Sequence, residues 1–198
     1  MAVAITHSGK IGPNSIIQTI AALREAYGPG ESGAILVRGG SADLLDRMPT
    51  AMVDEREFHT LAQLLVDQIG GEHAGHILKR AGQLTAEYLL QNRIPRPIQL
   101  LLRALPPWLG LRLLLPAINK NAWTFAGSGA FEYTSSGRPY VSIANRRLSD
   151  APELAAAVCS YYKGTFEHLL RTLVDRRVAL WENSCQAQGG HACVYQIV

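Results

Sequence analysis

The sequence predicts an α+β fold: a helical N-terminal half followed by a ββαββ antiparallel sheet with packed helices. Three observations predict it. Apolar residues recur at helical spacing through the first half. From Trp123 to Tyr133 aromatic residues alternate as they do on a strand. A long helical pattern from Pro152 then precedes two more strand-like runs, the order of a sheet with a helix laid on one face.

Each element has a local reason. Pro13 and Asn14 open a helix with Ile16, Ile20, Leu23 and Tyr27 on one face, closed by Gly28-Pro29-Gly30. Ser41 to Arg47 reads as a short helical piece. Asp54 and Glu57 form a D-x-x-E start signal similar to a capping box, and Phe58, Leu61, Leu65 and Ile69 follow at helical spacing until Gly70-Gly71. A helix over His73 to Asn92 is expected to turn Ile77, Leu84 and Tyr88 inward. Pro95, Pro97, Pro106, Pro107 and Pro116 cut the next stretch into short helices. Trp123 to Tyr133 and Pro139 to Ala144 are the first two strands, with a turn at Ser135-Ser136-Gly137. The helix from Pro152 carries Ala155, Cys159, Tyr162, Phe166, Leu169 and Leu173 on its inner stripe. Arg177 to Glu182 and Ala192 to Ile197 are the last two strands, around a turn at Gln188-Gly189-Gly190. Residues 1–118 form the helical region and 119–198 the sheet region, and the short loops between them indicate one compact unit.

Composition narrows the function classes. The hydrophobic fraction of 47% supports a real core, and a net charge of +3 is small for a nucleic-acid binder. Three cysteines cannot all pair in one chain. The opening MAVAITHSGK lacks the apolar stretch of a signal peptide. A reducing cytoplasm is the expected location, where clustered cysteines indicate metal more than disulfide. Ile94 to Ile118 is rich in leucine, but five prolines and three arginines interrupt it, so it is not read as a membrane span.

All three cysteines fall in one pattern, Cys159, Glu182, Cys185 and Cys193, or C-x22-E-x2-C-x7-C. Four such ligands make a closed tetrahedral zinc site, which holds a fold together and does not activate water. The last two cysteines flank a hairpin turn and the first lies on the long helix. Three buried thiols would read the same way from spacing alone, and His191 is a rival fourth ligand.

The C-terminal half resembles the 4-vinyl reductase domain family, through Cys159-Ser-Tyr-Tyr-Lys-Gly164, Val178-Ala-Leu-Trp-Glu-Asn-Ser-Cys185 and Gly189-Gly-His-Ala-Cys193. The resemblance implies a structural zinc held by three Cys and one Glu in this order. It also implies likeness to vesicle-tethering subunits that enclose an acyl chain. Gly12-Pro-Asn14, Met52-Val-Asp-Glu55, Thr85-Ala-Glu-Tyr-Leu-Leu90, Arg93-Ile-Pro95 and Ala122-Trp-Thr-Phe-Ala-Gly-Ser-Gly129 are similar to the bacteriochlorophyll-biosynthesis members of that family. For those members the resemblance implies a Mg-tetrapyrrole ligand, such as a Mg-porphyrin or protochlorophyllide, and partnership with enzymes of chlorophyll biosynthesis.

The family name implies reduction of a vinyl group, which needs a hydride donor. A dinucleotide fold would show G-x-G-x-x-G between a strand and a helix. Gly127-Ser128-Gly129 offers only G-x-G, with Glu132 where the last glycine would fall, and glycines among strands serve close backbone approach or a bulge. The residues favour a carrier or chaperone over a self-contained reductase of divinyl protochlorophyllide. A scaffold or small-molecule sensor is the third class. Trp123, Phe125, Phe131, Tyr133, Tyr161 and Tyr162 are candidate walls for a macrocycle, although alternating aromatics also make plain core. Arg93, Arg96, Arg103 and Arg112 are candidates for its propionate. His59, His73, His76 and His168 are available imidazoles, none of them assigned as axial ligand. By analogy a homodimer is expected. The stretch Ile98 to Leu115 is a candidate dimer face, pocket lid or peripheral membrane contact.

Overall fold

The computed structural model describes residues 9–145, 148 and 151–198. The first eight residues, on which most of the signal-peptide reading rests, lie outside the described residues.

A short antiparallel pair of β1 (Lys10–Ile11) and β2 (Val53–Asp54) opens the fold. Between its strands runs α1 (Asn14–Arg38), and after it come α2 (Glu55–Ile69), α3 (Gly71–Asn92), α4 (Arg96–Ala104) and α5 (Pro107–Lys120). Four strands make the main sheet: β3 (Ala130–Thr134), β4 (Tyr140–Ala144), β5 (Leu180–Ser184) and β6 (Cys193–Ile197). The helix α6 (Pro152–Leu173) falls between the two strand pairs in sequence. The sheet order is β3-β4-β6-β5 and every pairing is antiparallel. This is the expected α+β arrangement, with the ββαββ order intact.

The capping box is present: Asp54 accepts from the Arg56 N–H, and Glu57 accepts from the Asp54 N–H. Proline opens α4 and α5, where its missing N–H leaves no bond unmade.

Gly28 breaks α1 where Gly28-Pro29-Gly30 is expected to close it: its φ of 74° and ψ of 167° are non-helical, which glycine tolerates, and a second helical segment follows to Arg38. Three expectations need correction. Trp123 and Phe125 are not on a strand. Residues Ala122–Thr124 form a 3-10 turn, and the strand begins only at Ala130, after Gly127 at a φ of 59°. The inward face of α3 is Ala74, Ile77, Leu78, Ala81 and Thr85, with Leu84 and Tyr88 only half-buried. The third strand starts at Leu180 rather than Arg177 and runs through Ser184.

The inner face of the sheet follows strand alternation. Phe131 pairs with Ile143, Tyr133 with Val141, Val141 with Tyr195, and Ile143 with Cys193. Helix α6 lies on this face, and its expected stripe is buried throughout. Its other side meets α3. There Gly82 faces the Tyr161 carbonyl and Gly164 faces the Lys79 carbonyl, each so closely that an added Cβ would overlap the opposing backbone. One hydrophobic cluster therefore runs through both halves of the chain.

Gly82→Ala and Gly164→Ala should each lower unfolding free energy by about 1–3 kcal/mol, because the helices must move apart. Gly30→Ala, in open space within α1, should be neutral or stabilising by up to about 1 kcal/mol. Urea titration of the three variants checks this.

Candidate metal centre and aromatic wall

Helix α6, strand β5 and strand β6 bring Cys159, Glu182, Cys185 and Cys193 together. One ligand atom from each lies within 4.8 Å of all the others. The sheet explains how. Cys193 and Tyr195 point toward α6, and Tyr195 donates a hydrogen bond to the Cys159 carbonyl at 2.8 Å. Glu182 is paired with Tyr195 and shares that face. In a regular strand Glu182 and Cys185, three apart, would face opposite ways. A register shift between Glu182 and Ser184 adds one residue to β5 and returns Cys185 to the same side.

Cys159 and Cys193 are joined as a disulfide, with Cα atoms 6.4 Å apart. Cys185 is a buried free thiol, its Sγ 3.9 Å from Cys193 Sγ. Burial pushes the Cys185 thiol up to about 11, and the neighbouring Glu182 carboxylate adds to this. A disulfide and a three-thiolate metal site are alternative states of the same sulfurs. In the reduced state the three sulfurs and the Glu182 carboxylate would make a donor set that fits a tetrahedral zinc ion; the three cysteines are buried and Glu182 is exposed. His191 is exposed and outside this group.

The six aromatic candidates divide by burial. Phe131, Tyr161 and Tyr162 are core residues. Phe125 and Tyr133 are half-buried, and Trp123 is 49% exposed. Phe125 packs edge-on to Phe131 at 5.4 Å and to Phe166 at 5.8 Å, the preferred geometry of aromatic pairs. Tyr162 stacks on Phe166, and its hydroxyl donates to the Phe125 carbonyl at 3.0 Å. Tyr161 packs against Phe58 and shares a hydrogen bond with Thr85 at 2.9 Å. The wall is thus continuous from Tyr133 to Tyr161, with Phe166 as its centre; Phe125 and Tyr133 are its half-buried members, and the exposed Trp123 stands two residues before Phe125 in the 3-10 turn. A separate cleft of about 490 Å³ lies between α3 and α6, lined by His76, Lys79, Glu153 and Ser160 among others, and by none of the six aromatics. His73 and His76 are exposed, His168 is half-buried and His59 is buried.

The structure also assembles a polar clasp that sequence reasoning missed. Glu55, 1% exposed at the start of α2, accepts from the Ser128 N–H at 2.9 Å, from the Ser128 hydroxyl, and from the Asn145 amide at 3.0 Å. The Asn145 N–H donates to Gln186 Oε1, and Gln186 Nε2 donates back to the Asn145 carbonyl, each at 3.0 Å. Gln186 is the neighbour of Cys185. The D-x-x-E signal marks this helix start, but nothing in the sequence links it to Asn145 or Gln186. The glycines of Gly127-Ser128-Gly129 are explained as well. A Cβ on Gly127 would meet the Glu55 carboxylate, and one on Gly129 would meet the Ala144 carbonyl.

No protein-family model matches the chain. It is 39% identical over 196 residues to the bacteriochlorophyll synthase 23 kDa chain of Cereibacter sphaeroides, covering 98% of this chain and 92% of that one. The corresponding protein of Rhodobacter capsulatus is 37% identical over 191 residues, covering 94% and 85%. The chain belongs to the bacteriochlorophyll synthase 23 kDa chain family. Membership supports a role in bacteriochlorophyll biosynthesis. No helix among the described residues is long and apolar enough to cross a membrane.

Two measurements test these contacts. Glu55→Ala removes the acceptor shared by Ser128 and Asn145 and should cost about 1–3 kcal/mol in urea unfolding, as expected for losing buried hydrogen bonds. Tyr161 is held to about 12 from its ordinary 10.0, mainly by burial, with the Thr85 hydrogen bond opposing. The folded state therefore keeps a proton that the unfolded chain releases. Its stabilising effect is full below pH 10.0 and is lost as pH rises toward 12. The urea midpoint should fall across that window, and Tyr161→Phe should flatten part of the fall.

Proposed function

We propose that this chain binds a Mg-tetrapyrrole intermediate, a Mg-porphyrin or protochlorophyllide, and carries it to the enzymes of bacteriochlorophyll biosynthesis without reducing it alone. One observation carries the reading: near-full-length membership in a family whose relatives bear the name of a bacteriochlorophyll synthase chain. Those names also motivate the biosynthetic enzymes as partners. The structure adds a chemical point against hydride transfer at the glycine segment. Dinucleotide loops hold phosphate with free backbone N–H groups at a helix start. Here the Ser128 N–H is already engaged by the Glu55 carboxylate, and the segment leads into a strand. On this reading the macrocycle meets the half-buried Phe125 and Tyr133 of the aromatic wall and the exposed Trp123 beside Phe125 in sequence, while Tyr161 and Tyr162 support the wall from the core.

The proposal includes a structural zinc on Cys159, Glu182, Cys185 and Cys193. Its role is to tie α6 to β5 and β6. About one zinc per chain is expected for a closed tetrahedral site, with three titratable thiols after denaturation in chelator. A metal-free protein with one such thiol per chain would establish the disulfide state instead. Cys185→Ser should destabilise the fold.

Titration with Mg-protoporphyrin should shift its Soret band. Trp123→Ala should weaken binding by roughly 1–3 kcal/mol, by analogy with aromatic platforms that stack flat bases. Incubation with divinyl protochlorophyllide and NADPH or reduced flavin separates the alternative. Monovinyl product at catalytic turnover would overturn the carrier reading in favour of a vinyl reductase. Bound pigment returned unchanged supports the carrier.

A further inference from the structure

Helices α4 and α5 each expose apolar residues on the side away from the core. In α4 the buried side is Gln99 and Leu102. Pro97, Leu100, Leu101 and Ala104, at the i, i+3, i+4, i+7 spacing of one helix face, are all exposed. Leu100 is 65% exposed and Leu101 51%. In α5, Trp108 at 58% and Leu113 at 48% are also exposed. The Arg112 guanidinium lies over the Trp108 ring, 5.6 Å from its centre.

Charge decides what such a face would meet. From Tyr88 to Phe131 the chain has no Asp or Glu. Over the same stretch it has Arg93, Arg96, Arg103, Arg112 and Lys120, all exposed. Arg96 and Arg103, seven apart, flank the α4 leucines on one side. A second copy of this chain would bring the same cations against one another in a two-fold interface, which disfavours self-association there. An anionic bilayer surface satisfies both components. Leucine and tryptophan enter the headgroup region while arginine and lysine stay beside lipid phosphates.

We propose that α4 and α5 form a docking face for anionic lipid membrane, by which the protein rests on the bilayer without spanning it. The leucines and Trp108 supply the apolar insertion and the five cations the attraction. The face is on different residues from the metal centre and the wall, so it does not depend on the pigment reading.

The test is co-sedimentation of the full chain with vesicles of two parts phosphatidylcholine to one part phosphatidylglycerol, and with vesicles of phosphatidylcholine alone. No tetrapyrrole is present, so failure here leaves the carrier proposal standing. Binding to the mixed vesicles at low salt is expected, with loss at about 1 M salt, where charges are screened beyond about 3 Å. The double variant Leu100→Glu/Leu101→Glu should lower partitioning at least about tenfold while keeping its circular dichroism spectrum. Arg96→Gln should lower it about fivefold, the expected effect of one basic residue near an anionic surface. In a Trp123→Phe/Trp181→Phe background, Trp108 emission should shift to the blue on binding. Three results would overturn the proposal: no partitioning into the mixed vesicles at low salt, undiminished partitioning of the double-leucine variant, or a dimer in ultracentrifugation that the double-leucine variant converts to monomer.

Discussion

At Gly82 and Gly164 the backbones of α3 and α6 come into direct contact, each glycine facing a carbonyl of the other helix. The placement of α6 depends on that crossing, and most of the remaining structure depends on α6. One side of the helix locks into the helical half, with the Tyr161 hydroxyl meeting Thr85 on α3. The opposite side covers the sheet with Cys159, Tyr162 and Phe166. A wider crossing would pull Cys159 away from Cys193 and open the aromatic wall. Glycine is otherwise a poor choice inside a helix, less favourable than alanine by about 1 kcal/mol. Its presence at both contact points is explained by the approach it permits.

The Glu55 clasp is the second constraint. A buried carboxylate is tolerable only when hydrogen bonds replace its lost hydration. Here one carboxylate, at a helix N-terminus that favours negative charge, draws in the loop at Ser128 and the end of β4 at Asn145. Through Gln186 the same network reaches the turn beside Cys185. Ser128, Asn145 and Gln186 lie at one end of the sheet, where β3 begins and β4 and β5 end, so this single network fastens that end, beside Cys185, to the helical half.

Much of this was legible in the sequence where one residue type does one job. Cys159, Glu182, Cys185 and Cys193 could be grouped because cysteine is rare here and the spacing places a helix residue over a hairpin. The bulge in β5 was implicit in the same pattern, since two ligands three apart on a strand face opposite ways unless a residue is inserted. The stripe of α6 was legible because its apolar period is long and unbroken. Other features depended on partners distant in sequence. Trp123 and Phe125 alternate as strand residues do, yet Gly127 at positive φ and the pull of Glu55 on Ser128 turn that segment into a 3-10 turn and loop. Gly28-Pro29 reads as a helix stop and Gly28 does break the helix; the second helical segment beyond it was not legible locally, and its Ile35 and Leu36 are buried in the core. The clasp joins residues 73 and 90 positions apart, a separation that local patterns do not record.

In the proposed function the aromatic wall receives a flat pigment, carried without reduction, and the cysteine centre ties α6 to β5 and β6. The proposal is tested most directly by isolating the protein from a bacteriochlorophyll-producing cell and recording its absorbance spectrum and the mass of any bound small molecule. A Soret-type band, with the mass of a Mg-tetrapyrrole in near-stoichiometric amount, is the predicted result. A colourless protein that also leaves the spectrum of added Mg-protoporphyrin unchanged would contradict it.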